Sequence, residues 1–213
     1  MKRPAIPDWV KQLFHPKYRN IYSYRLGNEN LWGTETLLGD WGGEYLLITQ
    51  DFAPTSYIEA RRGTPNPYSH DPYAFANIQL LKTLRHFRAL GKDHVPAACN
   101  FMYISACFLL REGDPQQGAE LPDKRRVLQV SAPVVRFTME NMPRLKTLVL
   151  MGQDAALAFH ISGGVKWAHD LGLRVCRVRH PAGAMSEKDR FAEWAPVFDG
   201  QNSSLNVACS EPA

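Results

Sequence analysis

The stretch Arg174-Val175-Cys176-Arg177-Val178-Arg179-His180-Pro181-Ala182-Gly183-Ala184-Met185-Ser186 joins a strand to a helix through a histidine-bearing turn. Its first half alternates bulky apolar with basic residues, the period of a strand near a sheet edge. His180-Pro181 stops that strand, because proline offers the ladder no donor and biases the residue before it toward extended backbone. Ala182 to Met185 make a small turn, and Ser186 caps a helical pattern over Glu187 to Trp194 with acids in its first turn. A histidine thus stands at the carboxyl end of a strand, beside a helix amino terminus able to hold a phosphate. Open parallel sheets place their ligands at that edge.

Working outward, Glu44 to Thr49 reads as the first strand. Its run Tyr45-Leu46-Leu47-Ile48 is continuously apolar, as in a parallel sheet covered on both faces. It delivers Gln50-Asp51-Phe52-Ala53-Pro54-Thr55-Ser56 to a loop, where Asp51 is placed either as a catalytic carboxylate or as the cap of the next turn. Asn100 to Leu110 reads as a second strand running into Arg111-Glu112-Gly113-Asp114, and Lys146 to Met151 as a third. Gly152-Gln153-Asp154-Ala155-Ala156 opens a helix directly after it, with close packing as the reason for the glycine. Phe75 to Leu90 is an amphipathic helix with Phe75, Ile78, Leu81, Leu84 and Phe87 as its stripe, and Val130 to Met142 is another. Pro7 to Phe14 is a short helix capped by Asp8, with Trp9, Val10, Leu13 and Phe14 on its apolar face. Strands alternating with helices predict an α/β protein: three layers, α/β/α, around a four-stranded, mostly parallel central sheet.

The remaining segments read as connections. Residues 1–43 form an irregular, lid-like segment packed by Tyr22, Tyr24, Trp32 and Trp41; 60–72 is a proline-rich surface loop; 115–124 is polar; 201–213 is a frayed tail. With 213 residues, 45% of them hydrophobic, residues 1–213 are expected to form one domain. No run approaches the roughly 18 apolar residues of a membrane helix, and Met1-Lys2-Arg3-Pro4 leads into no signal-type apolar region. A cytoplasmic monomer without a membrane partner is expected. Cys99, Cys107, Cys176 and Cys209 form no C-x-x-C pair, which argues against a zinc or iron–sulfur site. Cys107 and Cys176 read as small core residues, and no metal or cofactor is expected. The net charge of +4, from 25 basic and 21 acidic residues, permits a polyanion without requiring one. Arg174, Arg177 and Arg179, Lys124-Arg125-Arg126, and Arg61-Arg62 are each either a solvated surface or a phosphate contact.

Four of these loops, in order, resemble the motifs of the uracil-DNA glycosylase superfamily. The counterparts are Gln50-Asp51-Phe52-Ala53-Pro54 for its acidic loop, Ile104-Ser105-Ala106 for its asparagine-bearing strand, Leu148-Val149-Leu150-Met151-Gly152 for its apolar strand ending in glycine, and His180 to Ser186 for its late HPS-type loop. The likeness covers residues 44–195. It implies a monofunctional DNA glycosylase that hydrolyses the N-glycosidic bond of a flipped-out base and leaves an abasic site, in base-excision DNA repair or in defence against foreign modified DNA. On the family's pattern Asp51 orients water and stabilises the oxocarbenium-like sugar, and His180 donates to the departing base. Gln50, Phe52, Ala53, Ser105 and Tyr57 would surround that base. Arg179, Gly183 and Ser186 would grip phosphates of single- or double-stranded DNA, with Lys124, Arg125 and Arg126 as further contacts, and Ala184 or Met185 would fill the gap in the stack.

Departures from the pattern bear on the substrate. Ser105 stands where the family reads its base with asparagine, and Ala53 where the uracil-specific branch has a tyrosine. Both changes open volume, which implies a bulkier modified or damaged base unless Tyr57, Tyr68 or Tyr103 refills the space. Lys124-Arg125-Arg126 is followed by Val127-Leu128-Gln129, without the histidine of the branch that crosslinks to DNA. Two other readings stay open from the residues alone: an inactive nucleic-acid-binding module on the same fold, and a hydrolase of free nucleosides or nucleotides.

Overall fold

The computed structural model describes residues 4–20, 39–51, 54–60, 74–87, 100–112 and 121–199. Its centre is a sheet of four strands, β2 (Tyr45–Asp51), β3 (Phe101–Cys107), β5 (Thr147–Met151) and β6 (Arg174–Val178), in the order β3-β2-β5-β6. Every neighbouring pair is parallel. The expected three-layer α/β/α fold is the one observed, and the sheet is wholly parallel.

The layers follow from the alternation of side chains along each strand. Leu46, Ile48, Met102, Ile104, Leu148 and Leu150 point to one face. They pack there under α3 (Lys124–Glu140), α4 (Gln153–Ile161) and α5 (Gly164–Asp170). Leu47, Phe101, Tyr103, Val149, Met151 and Val178 point to the other face. They meet Leu80, Leu81 and Leu84 of α2 (Phe75–His86) and Trp194 and Val197 of α6 (Glu187–Phe198). Trp194 is 2% exposed, so its truncation to alanine should cost about 3–5 kcal/mol. Among the described residues no helix is long and apolar enough to cross a membrane.

Several boundaries differ from the sequence expectation, each for a local reason. The second strand is not continuous to Leu110: β3 ends at Cys107, the Phe108 N–H turns aside to Ser131 Oγ at 2.9 Å, and β4 (Leu109–Arg111) leaves to pair antiparallel with β1 (Tyr18–Asn20). Arg111 therefore lies on a strand and not in a loop. The helix expected from Val130 starts at Lys124, because Val127 and Leu128 are already core residues and the basic run before them tolerates helix well. Of residues 1–43, read as an irregular, lid-like segment, 4–20 and 39–43 are described, and they pack against the body of the protein. A 3-10 helix spans Asp8–Gln12, Trp41 is buried edge-on to Phe137, and the Tyr18 hydroxyl donates to Pro122 O at 2.7 Å. Asp8 caps nothing, and Phe14 is 76% exposed. In α2 the buried stripe is carried by Asn77, Leu80, Leu81 and Leu84, while Phe75 and Ile78 are exposed. Of the surface loop expected at 60–72, Ala60 instead ends a helix; the rest of that stretch, the 201–213 tail, Tyr22, Tyr24, Trp32, Tyr68, Cys99 and Cys209 lie outside the described residues.

The connections make a crevice. From β2 the chain runs through α1 (Thr55–Ala60) and α2 to β3 on one side; from β5 it runs through α4 and α5 to β6 on the other. The two crossovers thus leave neighbouring strands toward opposite faces, which opens the sheet at the carboxyl ends of β2 and β5.

Candidate functional site

A hollow of about 350 Å³ lies at that switch point. Gln50 brings the end of β2 to it, Met151 to Asp154 bring the end of β5 and the start of α4, and His180 arrives two residues past β6. Lys124, in the first turn of α3, completes the wall. The volume falls at the small end of the roughly 300–1,000 Å³ found for ligand pockets.

Gly152 is what lets His180 in. It has φ +92 and ψ 178, a combination essentially confined to glycine, and its N–H donates to Val178 O at 2.8 Å. A Cβ on Gly152 would stand 3.3 Å from His180 Cβ, so the expected close packing is against the histidine itself. The imidazole is then oriented by its own loop. The Ala182 N–H donates to His180 Nδ1 at 3.2 Å, and the Gly183 N–H donates to His180 O at 2.8 Å. With Nδ1 accepting, the proton of the neutral ring lies on Nε2. Burial holds the ring below its ordinary 6.5, against the opposing pull of Asp154. The result is a neutral histidine that donates from Nε2.

Asp51 reaches the same edge but is differently engaged. Arg111 Nε donates to Asp51 Oδ2 at 2.6 Å, and both side chains are 13% exposed. Burial raises the carboxyl above its ordinary 3.8; Arg111 works against that rise, and Asp154 adds to it. Among the described residues that line the hollow, the carboxylate is Asp154 and not Asp51. Lys124 Nζ lies 2.9 Å from Asp154 Oδ1. The sequence places Asp154 only within the opening of a helix and assigns it no role. Its signal was there: an acid two residues past a strand-ending glycine at a sheet's carboxyl edge.

The other expected contacts divide. Gln50 and Lys124 line the hollow. Ser105 does not: it lies opposite Thr49 in the sheet, is fully buried, and its hydroxyl has no hydrogen-bond partner. Tyr57 is half-buried on α1, with its N–H on Pro54 O at 3.1 Å. Phe52 and Ala53 lie outside the described residues, as do Arg61 and Arg62. Arg125 and Arg126 are exposed on the first turn of α3. Arg179 is exposed, its guanidinium 3.6 Å from Glu193. Ser186 is the cap expected of it, accepting from the Asp189 N–H at 3.1 Å and donating to Asp189 Oδ2 at 2.7 Å. Gly183, Ala184 and Met185 line a second hollow rather than this one.

Arg174 belongs with none of these. It sits at the far end of β6 and donates to the carbonyls of Pro196 and Val197, so it holds the carboxyl end of α6. The alternation that reads as a basic strand hides a structural arginine. Cys107 is fully buried, its thiol pushed up to about 12 by burial, and Cys176 is half-buried. Among the described residues no three His, Cys, Asp or Glu side chains converge as metal ligands do. No protein-family model matches the chain, and no curated protein matches it significantly.

Proposed function

We propose that the protein is a monofunctional DNA glycosylase acting on a flipped-out modified or damaged base. The observation that carries this reading is the neutral imidazole of His180, fixed by the Ala182 N–H as an Nε2 donor beside a hollow at the sheet's switch point. A base leaving from C1′ takes the bonding electron pair and becomes an anion. A preorganised donor at one of its oxygens stabilises that anion without itself being consumed. The sugar meanwhile gains positive charge, which a fixed carboxylate offsets while orienting the water whose oxygen bonds to C1′ and whose proton the carboxylate receives.

Asp51 supplies that carboxylate in our reading, with Arg111 holding it in place. A second reading assigns it to Asp154, and a specific observation favours that one: Asp154 lines the hollow, next to Gln50 and His180, and Asp51 does not. Oligonucleotides that each bear one altered base, followed by alkaline cleavage of the abasic product, test the activity. Asp51→Asn and Asp154→Asn then separate the two assignments, since the true carboxylate costs on the order of 10²–10⁴ in base release. DNA binding with no abasic product from any substrate would instead mean a binding module. Equal turnover of free nucleosides would mean a nucleoside hydrolase.

A further inference from the structure

A second hollow, of about 530 Å³, opens between α2 and the loop leading into α6. It is lined by Phe75, Gln79 and Lys82 from one side and by Ala182 to Met185, Glu187 and Arg190 from the other. Arg190 is the anomaly. It is 6% exposed, and its guanidinium Nη1 donates to Gln79 Oε1, a neutral acceptor. A guanidinium stays charged and carries five N–H donors. Burying one without an anion is costly, and proteins keep such charges paired.

Three carboxylates stand close to Arg190 along α6. Glu193 Oε1 lies 3.6 Å from Arg179 Nε while its Oε2 is buried without a hydrogen-bond partner, Asp189 is tied to Ser186, and Glu187, 59% exposed, lies 3.9 Å from Lys82 Nζ. No carboxylate among the described residues pairs with Arg190. Apart from Gln79 and Glu187 the remainder of the wall is apolar: the Phe75 ring, 60% exposed at the start of α2, faces a hollow that Ala184 and Met185 also line. A buried cationic fork, a half-exposed lysine and an exposed ring on one concavity match an anion that carries a flat body.

We propose that this hollow binds one nucleotide unit, its phosphate on Arg190 and Lys82 and its base against Phe75. The His180 loop separates it from the first hollow: His180 lines one, and Ala182 to Met185 line the other. A strand that places one nucleotide at His180 and continues over this short loop sets a neighbouring nucleotide at Arg190. The proposal rests on the nucleic-acid part of the function above and not on the excision chemistry.

Gln79→Glu is the decisive variant. A carboxylate opposite Arg190 supplies the missing counter-charge inside the protein and competes with an incoming phosphate. It should raise the unfolding temperature and, in fluorescence anisotropy with a labelled oligonucleotide, weaken binding about tenfold. Lys82→Ala, at a half-exposed position, should keep the fold and lower the salt slope of binding by about one. Thymidine monophosphate should compete for the hollow better than inorganic phosphate, and Phe75→Ala should erase that difference. A Gln79→Glu protein that is more stable yet binds the oligonucleotide unchanged overturns the proposal, making Arg190 a packing residue. Equal competition by inorganic phosphate overturns the nucleotide assignment. Binding at this hollow without base release from any substrate supports the proposal while the excision reading fails.

Discussion

Arg111 Nε donates to Asp51 Oδ2 at 2.6 Å across two strands that never pair, β2 of the main sheet and β4 of the small one. The carboxyl nevertheless titrates above its ordinary 3.8, because burial disfavours its charge more than the guanidinium favours it. If Asp51 acts as the ionised carboxylate, base release should rise with pH through a limb above the usual carboxylate range. Arg111→Met removes the group that opposes the rise, so the limb should move further up. It should also cost about 3 kcal/mol at neutral pH, where a buried charge loses its partner. A pH–rate profile that is identical in the two proteins would show that Asp51 is not the titrating group.

Asp154 raises the proton affinity of both Asp51 and His180. Asp154→Asn should therefore lower both titrations together, which side-chain NMR can follow. In the parent protein His180 should report the Nε2–H tautomer and stay neutral below 6.5. The linkage has a sign. The unfolded chain takes up the histidine proton first on acidification, so this residue's share of stability falls as pH drops from 6.5 toward the folded value. His180→Gln should flatten that part of the stability curve. A doubly protonated ring at neutral pH would contradict the neutral state assigned to it, because Nδ1 could not then accept from Ala182 N–H.

Gly152→Ala should cost about 1–3 kcal/mol from backbone strain alone. Its methyl group would also press on His180 Cβ, 3.3 Å away, and should lower base release in the protein that remains folded. Gly163→Ala is the control. That residue also has a positive φ, +73, but nothing lies within 4 Å of its added Cβ. Urea unfolding should register both substitutions, and the activity assay only the first. Equal activity in the two variants would mean that His180 does not depend on this packing.

Most of the fold is legible in three apolar runs. Leu46-Leu47-Ile48, Met102-Tyr103-Ile104 and Leu148 to Met151 are too uniformly apolar for one-sided strands, and each proves buried on both faces. His180 is legible at the edge because proline ends its strand. What the sequence hides are pairings across the chain. Nothing near Asp51 announces Arg111, 60 residues away, because β4's departure toward β1 depends on Ser131 capturing the Phe108 N–H. Lys124 reads as a solvated surface or a phosphate contact, and its pairing with Asp154 is hidden until α3 begins early enough to bring it there. Arg174 and Arg179 belong to the same basic run in the sequence, yet one caps a helix and the other meets Glu193.

That last contrast separates structural from nucleic-acid-binding arginines by experiment. Arg174→Ala removes hydrogen bonds to the carbonyls of Pro196 and Val197 at the carboxyl end of α6, where a cation also favours the helix dipole. It should cost about 1–3 kcal/mol in urea unfolding, as lost charge-assisted bonds do, and leave the salt dependence of DNA binding unchanged. Arg125 and Arg126 are exposed on the first turn of α3, beside the Lys124 that lines the hollow, and hold no such bonds. Replacing both with alanine should leave stability within about 0.5 kcal/mol and reduce the slope of log K against log salt by about 1.4–1.8. The two variants should therefore move opposite readouts. A salt slope that falls with Arg174→Ala and not with the double variant would shift the strand from the α3 side of the sheet edge to the outer edge of β6.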